Sequence, residues 1–186
     1  IVSGQTLSVT GSGTVSSANV GTGKNVTSVN LSLANGSGSA SNYSINSLTA
    51  EITGRPVTIS GSRLYDSTTT ASSSILTITS GVSGESLSLT GSGVLGAASA
   101  GTQTITNNNT LAIADGSGGL ASNYTLSGAT INVTIIPRTL NVTLSREYDG
   151  TTSVSGSSLT PTFDSLQGSE TLTLSGTGSV STANVG

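Results

Sequence analysis

The feature that most constrains this chain is a long internal repeat. Three stretches align without a gap: "TLSVTGSGTVSSANVG" (6–21), "SLSLTGSGVLGAASAG" (86–101) and "TLTLSGTGSVSTANVG" (171–186). They step forward by 80 residues, from 6 to 86, and then by 85, from 86 to 171. The repeating unit of a solenoid protein is shorter, about 20 to 45 residues, whereas a unit of this length can form a small self-contained domain. The sequence therefore predicts small domains in tandem.

Two shorter motifs follow the same period. "SNYSI" at 41–45 returns as "SNYTL" at 122–126, and "RLYDSTT" at 63–69 returns as "REYDGTT" at 146–152. Because several motifs keep one order at steps of 80 to 85 residues, chance similarity within a Ser- and Thr-rich chain does not explain them.

The unit boundaries are expected at two prolines. A strand-like stretch runs through Pro56, and another through Pro137, with hardly any loop on either side. Proline fixes φ and donates no backbone hydrogen bond, so it suits a junction or a sheet edge. We therefore divide the chain into an N-terminal segment (1–54), which is the back portion of a unit, a central segment (55–137), which is a complete unit, and a C-terminal segment (138–186), which is the front portion of the next. In this phase the sequence is expected to be an excerpt from a longer array.

The residue pattern within each unit has a period of two. Apolar residues alternate with Ser, Thr or Asn at Leu7 and Val9, Val57 and Ile59, Leu87 and Leu89, Ile131, Val133 and Ile135, Leu140, Val142 and Leu144, and Leu172 and Leu174. This alternation is typical of antiparallel strands with one buried face. Gly-rich stretches separate these strands, and "VSSANV" (15–20) is compatible with a single helical turn. The predicted fold class is all-β: tandem small antiparallel β domains, either immunoglobulin-like sandwiches or mostly-β grasp folds, joined end to end by short strand-Pro linkers.

The amino-acid composition limits the kinds of core, functional site and partner that the chain can have. The chain has one Phe, four Tyr and no Trp, so each core must be built from aliphatic residues. It has no His and no Cys, which excludes the usual catalytic triads and zinc sites. Five basic residues cannot form a phosphate-binding stripe, so nucleic acid is not an expected partner. No apolar run reaches the ~18 to 20 residues of a membrane span, and we expect no membrane insertion, no enzyme activity and no cofactor.

The Tyr-Asp motif is predicted to be a structural turn. Arg146 and Tyr148 are two residues apart, so the guanidinium can pack beside the ring or reach Asp149. Asp is a natural first residue of an Asx-turn, and Gly150 supplies a permissive next position. Arg63, Tyr65 and Asp66 repeat the pattern, with Ser67 in place of the glycine.

Two further positions have a structural and a functional interpretation. Tyr43 and Tyr124, which follow Asn in the repeated "SNY", are predicted to be core plugs that close their units.

Asp115 in "ADGSGG" could be read as a calcium loop, but it aligns with Asn35 and no second carboxylate lies near it in the sequence. A hard cation would lack ligand charge there, so no metal site is predicted.

The order of these motifs resembles the YDG-type repeat, related to the MBG repeats, of large bacterial surface adhesins similar to filamentous haemagglutinin. The resemblance spans essentially the whole chain, although Ser67 replaces the glycine of the motif and 97–103 departs from the "ANVGTGK" of 18–24. It implies a secreted, all-β, tandemly repeated protein at the bacterial cell surface or in an extracellular matrix, without catalysis or a cofactor.

Two functions remain open from the sequence. The first is a stalk or fibre repeat of an adhesin or biofilm-matrix protein, whose partners are neighbouring repeats and, through homotypic assembly, other copies. The second is a module that binds a glycan or a host protein through a hydroxyl-rich sheet face or loops. The incomplete units at either end are also expected to present unpaired strand edges that could recruit complementary strands.

Overall fold

The computed structural model describes residues 1–27, 30–156 and 159–184. Within these residues the chain forms β-strands and three single 3-10 turns, Ala40–Asn42, Ser73–Ile75 and Ala121–Asn123, and no α-helix. The predicted all-β class is confirmed. The strands are β1 (Leu7–Thr10), β2 (Thr14–Val15), β3 (Gly21–Thr27), β4 (Ser32–Asn35), β5 (Thr49–Ile52), β6 (Arg55–Leu64), β7 (Thr70–Ser72), β8 (Leu76–Thr79), β9 (Leu87–Thr90), β10 (Ser92–Leu95), β11 (Gly101–Asn107), β12 (Ala112–Asp115), β13 (Tyr124–Ile136), β14 (Val142–Ser145), β15 (Ser153–Ser155), β16 (Thr160–Phe163) and β17 (Thr177–Ser179).

The strands form small sheets. A six-stranded sheet has the order β7-β10-β11-β13-β6-β8, and a three-stranded sheet has the order β2-β3-β5. The two-stranded sheets are β1-β4, β9-β12, β14-β16 and β15-β17. The register is antiparallel at β1-β4, β2-β3, β3-β5, β7-β10, β10-β11, β11-β13, β14-β16 and β15-β17. Short local pairings of this kind suit a chain that is rich in Thr and Val.

The described backbone separates into two compact units. The first contains Ile1–Ile59, Ile78–Leu89 and Ala112–Thr130, and the second contains Ser60–Thr77, Thr90–Leu111 and Ile131–Gly186. These units are not the segments inferred from the proline positions, and the division of the chain at Pro56 and Pro137 stays a prediction.

The best-buried cluster lies in the second unit. It consists of Ala71 on β7, Leu95 on β10, and Val133 and Ile135 on β13, all at most 2% exposed. Tyr65, Ile75, Leu76 and Ile105 pack against this cluster. In the first unit, Val57 and Ile59 on β6 are buried, as is Tyr124 at the start of β13. The alternation that predicted the strands around Val57 and Val133 therefore also identified buried residues.

The glycine between β9 and β10 is required by close backbone packing. Gly91 has a φ of 75°, and a Cβ at this position would lie 2.0 Å from the carbonyl oxygen of Thr110. Gly11, 80 residues earlier, has a φ of 98° and the same conflict with Asn30. Only glycine fits at these positions, because a side chain would need both a left-handed backbone and the space that the carbonyl group of Thr110 or Asn30 occupies.

Two sequence-based expectations about local structure were wrong. Residues 16–20 form bends rather than a helical turn. Residues 171–175, around Leu172 and Leu174, are not in a strand, although their counterparts form β1 and β9. β1 pairs with β4 and β9 with β12, whereas residues 171–175 pair with no strand among the described residues.

The two prolines differ in their surroundings. Pro56 is the second residue of β6, and β6 lies between β13 and β8 instead of at a sheet edge. Pro56 is exposed and precedes the buried alternation that starts at Val57. Pro137 directly follows the last residue of β13, and the next strand begins at Val142.

Candidate functional site

The two Tyr-Asp motifs form the same turn. In each, the arginine guanidinium makes an ion pair with the aspartate three residues later, Arg63 with Asp66 and Arg146 with Asp149. The same guanidinium donates to the backbone carbonyl of the threonine that follows, Thr68 in one copy and Thr151 in the other. The sequence left two contacts open for the guanidinium, with the tyrosine ring or with the aspartate. The structure shows the contact with the aspartate in both copies.

The aspartate closes the turn on its other side. Oδ1 of Asp149 accepts hydrogen bonds from the backbone N–H and the hydroxyl of Thr151, at 2.9 and 3.0 Å. Asp66 accepts the same two bonds from Thr68, both at 2.9 Å. This is Asx-turn geometry, in which a carboxylate satisfies the N–H two residues on.

These contacts favour the charged carboxylates. The Thr151 N–H, then the Thr151 hydroxyl, hold the pKa of Asp149 below its ordinary value, with a further contribution from Arg146. Burial alone would raise the pKa of Asp66, but the bonds from Thr68 and the Arg63 guanidinium outweigh it, so this pKa is also lowered.

The residue after each aspartate lies in the left-handed region. Gly150 has a φ of 74°, and Ser67 has a φ of 62°. Glycine adopts this conformation without a steric cost, whereas serine has a Cβ that crowds the backbone. The two copies therefore keep one backbone geometry, with strain in the copy that contains Ser67.

The motif tyrosines have different environments. Tyr65 packs on the core of the second unit and donates its hydroxyl to Oε1 of Glu170. Its N–H donates to the carbonyl of Ile136 at 2.9 Å, and its own carbonyl accepts from Nε of Arg138 at 2.6 Å. The hydrogen bond to Glu170 is the main reason that the pKa of Tyr65 is raised. Tyr148, by contrast, is 66% exposed.

The tyrosines of the two Ser-Asn-Tyr motifs repeat one contact. Tyr43 donates to Oε1 of Gln5 at 2.7 Å, and Tyr124 donates to Oε2 of Glu85. Tyr124 is buried, with 9% of its surface exposed, and the Glu85 contact raises its pKa. Tyr43 is only half-buried, and its hydroxyl also accepts from the N–H of Val2 at 3.2 Å. The core-plug description fits Tyr124 better than Tyr43.

Asp115 and Asn35 have a shared local role. The side-chain oxygen of each accepts the N–H at the start of the 3-10 turn before the tyrosine: Asp115 from Ala121 and Asn35 from Ala40, both at 2.7 Å. This role requires an acceptor oxygen and no charge, which explains why Asp and Asn alternate at this position. Within the described residues, no group of three His, Cys, Asp or Glu side chains is placed to hold a metal ion.

The asparagine of the central Ser-Asn-Tyr motif contacts the preceding segment. Oδ1 of Asn123 accepts from the N–H of Val20 at 2.9 Å, and its Nδ2 donates to Oδ1 of Asn19 at 3.0 Å. A residue of the central segment thereby binds the "ANVG" loop of the N-terminal segment. The Tyr65 contact with Glu170 likewise joins the central segment to the C-terminal segment.

The sequence reasoning missed the acceptors of the tyrosine hydroxyls. Gln5, Glu85 and Glu170 occupy one position of the repeat, each two residues before a leucine of the repeated Leu-x-Leu. That equivalence, in a chain where only 7% of residues are charged, is the signal that could have identified them. The structure brings Tyr43, Tyr65 and Tyr124 to these acceptors and leaves Tyr148 without one in the described residues.

In the described part of the chain, no helix has the length and apolar character needed to cross a membrane. No curated protein and no solved structure matches the chain. A family model described as the YDG domain matches three successive stretches, residues 1–53, 50–133 and 132–186. These matches cover the whole sequence and contain the repeated turns, tyrosines and acceptors described above, so the chain belongs to the YDG domain family as a tandem array.

Proposed function

We propose that this chain is a structural stalk or fibre segment of a secreted bacterial adhesin or biofilm-matrix protein. It projects from the cell surface or assembles outside the cell, and its partners are neighbouring repeats of the same kind. The proposal involves no catalytic step, cofactor, nucleic acid or insertion into a membrane.

The observation that carries the proposal is the use of polar side chains to join successive segments. Asn123 binds the loop at Asn19 and Val20, and Tyr65 binds Glu170 and Arg138. Contacts of this kind restrain the chain between repeats, as a segment that transmits force must be restrained. A flexible linker would lack such contacts, because it gains nothing from ordering its residues.

The tyrosines support a structural role over ligand recognition. Three of the four give their hydroxyl to a side chain of this protein. Aromatic side chains commonly provide apolar contact in small-molecule sites, and only Tyr148, 66% exposed, is free to do so among the described tyrosines. The alternative, a glycan- or host-protein-binding module that uses a hydroxyl-rich sheet face or loops, therefore has a single exposed tyrosine to add to that face among the described residues.

Mechanical unfolding tests the proposal. The chain is held by its two ends and extended in a single-molecule force experiment, beside the Tyr65→Phe variant. We expect discrete unfolding events that require force, and lower forces for the variant, because it loses the contact with Glu170. Extension without force peaks would contradict a stalk and indicate a linker.

A glycan array screen tests the alternative with the same protein. The structural proposal predicts no binding that depends on Tyr148. Saturable binding that the Tyr148→Ser variant abolishes, while Ser153→Ala does not, would favour the binding module instead.

A further inference from the structure

The loop that follows each repeated Leu-x-Leu stretch occurs in two versions in this chain. The loops 16–21 and 181–186 end in Ala-Asn-Val-Gly, whereas the loop 96–101 ends in Ala-Ser-Ala-Gly. Ser99 therefore stands at the position that Asn19 occupies in the first loop. We call the two versions the asparagine loop and the serine loop.

In the asparagine loop, a hydroxyl group two residues earlier holds the backbone of the asparagine. The N–H of Asn19 donates to Oγ of Ser17 at 3.2 Å. In the third repeat, the N–H of Asn184 donates to Oγ1 of Thr182 at the same distance. This contact is an ST-turn, in which a short hydroxyl side chain satisfies the N–H two residues on. Both asparagine loops thus position their asparagine in the same way.

The serine loop is held by a different hydrogen bond. It has Ala97 in place of the hydroxyl residue, and the backbone carbonyl of Ser99 accepts from Nε2 of Gln103 at 3.0 Å. The equivalent of Gln103 in the first repeat is Gly23, which has no side chain to make this contact. The two versions therefore differ in how the loop is stabilised as well as in the residue that they present.

The first asparagine loop binds the repeat that follows it. Asn19 belongs to the family match at 1–53 and Asn123 to the match at 50–133. Oδ1 of Asn123 accepts from the N–H of Val20 at 2.9 Å, and its Nδ2 donates to Oδ1 of Asn19 at 3.0 Å. Because a backbone N–H can only donate, it takes the oxygen of Asn123 and leaves the NH₂ group for residue 19. Residue 19 must then offer an acceptor oxygen.

This requirement separates residue types at position 19. The hydroxyl oxygen of serine is one bond closer to the main chain than Oδ1 of asparagine, so it cannot take the place of an acceptor that lies 3.0 Å from Nδ2 of Asn123. Aspartate has an oxygen where asparagine has Oδ1, and it can accept the same hydrogen bond. Asparagine and aspartate therefore fit the contact, and serine does not.

We propose that the residue at the position of Asn19 determines how strongly a YDG repeat holds the repeat that follows it. An asparagine loop binds the Ser-Asn-Tyr asparagine of the following repeat through a side-chain and a backbone hydrogen bond, whereas a serine loop offers the backbone N–H alone. The inference rests on the proposed function, in which successive repeats are partners, and adds the position that sets the strength of their contact.

Hydrogen exchange at the amide of Val20 tests the proposal in the whole chain, because this N–H is donated to the following repeat. Exchange is followed by NMR and expressed as protection relative to the unfolded chain. Asn123→Ala should lower the protection of Val20 by about 10-fold. The amide of Val133, which lies in the core, should keep its protection and thereby report that the variant is folded.

Substitutions at position 19 test the choice of residue. Asn19→Ser, which introduces the residue of the serine loop, should lower the protection of Val20 by about 5-fold, whereas Asn19→Asp should stay close to the native chain. Asn46→Ser makes the same change at an exposed residue outside the loop and should have no effect. Equal losses for Asn19→Ser and Asn19→Asp would overturn the proposal.

A double variant distinguishes the contact from an effect on the loop itself. Once Asn123→Ala has removed the partner, Asn19→Ser should lower the protection of Val20 no further. Additive losses, or native protection in Asn123→Ala alone, would overturn the proposal. Because exchange is measured at equilibrium without force, these results do not depend on whether the chain is a stalk, and the force experiment does not depend on which residue occupies position 19.

Discussion

At the scale of single residues, the Tyr-Asp turn is maintained by a few polar atoms. The aspartate, the arginine and the following threonine satisfy one another in both copies. The residue after the aspartate needs a positive φ, which Gly150 adopts freely and Ser67 adopts with strain.

Replacing the strained serine should stabilise the protein. Ser67→Gly removes the Cβ at a φ of 62°, so the free energy of unfolding should rise by about 0.5 to 1 kcal/mol in denaturant titrations. Ser62→Gly is the matched control, because Ser62 lies exposed within β6 and glycine there should cost about 0.5 to 1 kcal/mol. A decrease for both variants would show that the turn is not strained.

The turn aspartates should make the free energy of unfolding depend on pH in the acidic range. The pKa of Asp149 is lower in the folded protein than its ordinary value, so the folded state favours the carboxylate. This contribution is fully present above the pKa of an unfolded Asp, about 3.9, and is lost as pH falls through the lowered folded pKa.

Asp149→Asn isolates this effect, because the amide oxygen can still accept from Thr151. Unfolding midpoints measured from neutral to acidic pH should decline less steeply for the variant than for the native chain. In the double variant Asp149→Asn with Asp66→Asn, the unfolding midpoint should fall still less as the pH is lowered. Identical slopes for native and variant proteins would contradict the assignment.

The residue scale also shows the limit of sequence reasoning. The turn follows from the local chemistry of Asp and Gly, so residues 146 to 152 suffice to predict it. The partners of the tyrosines do not follow from local chemistry, because Tyr65 and Glu170 are 105 residues apart in the chain. Only the fold brings such residues together.

At the scale of the elements, burial follows the period-two pattern where a strand has neighbours on both sides. β13 lies between β11 and β6, and Ile131, Val133 and Ile135 on it are buried. Among the described strands β14 pairs with β16 alone, and Val142 and Leu144 on it are each 41% exposed. The pattern alone does not distinguish the two strands, since the number of neighbours depends on the rest of the fold.

Two valine substitutions test this contrast. Val133→Ala removes two buried methyl groups from a fully covered position and should lower the free energy of unfolding by about 2 to 3 kcal/mol. Val142→Ala makes the same chemical change in a half-exposed strand and should cost less than about 1 kcal/mol. Equal losses, measured by urea unfolding, would mean that β14 is as well packed as β13.

At the scale of the whole molecule, the repeat explains which side chains accept the hydrogen bonds of the tyrosine hydroxyls. Acceptors at Gln5, Glu85 and Glu170 recur at one position, and tyrosines from two different motifs reach them. The period, the strand class and the motif positions were predictable from the sequence. The identity of the acceptors required the structure.

The tyrosine contacts should also respond to alkaline pH. The hydrogen bonds to Glu170 and Glu85 raise the pKa values of Tyr65 and Tyr124. The stabilisation is fully present below the pKa of an unfolded tyrosine, about 10, and is lost as pH rises through the raised folded values. Ultraviolet titration should show Tyr65 and Tyr124 ionising at a higher pH in the folded chain than in denaturant, and ionisation of both at the same pH in the two states would contradict this.

The central claim is that hydrogen bonds from the tyrosine hydroxyls stabilise the folded repeats. Four tyrosine-to-phenylalanine variants test this claim most directly. Each variant removes one hydroxyl and keeps the ring, and its unfolding midpoint in denaturant is compared with that of the native chain. The account predicts lower midpoints for Tyr43→Phe, Tyr65→Phe and Tyr124→Phe, since each leaves an acceptor without its donor, and an unchanged midpoint for Tyr148→Phe. A loss at Tyr148 equal to that at Tyr124, or no loss at any of the four, would contradict it.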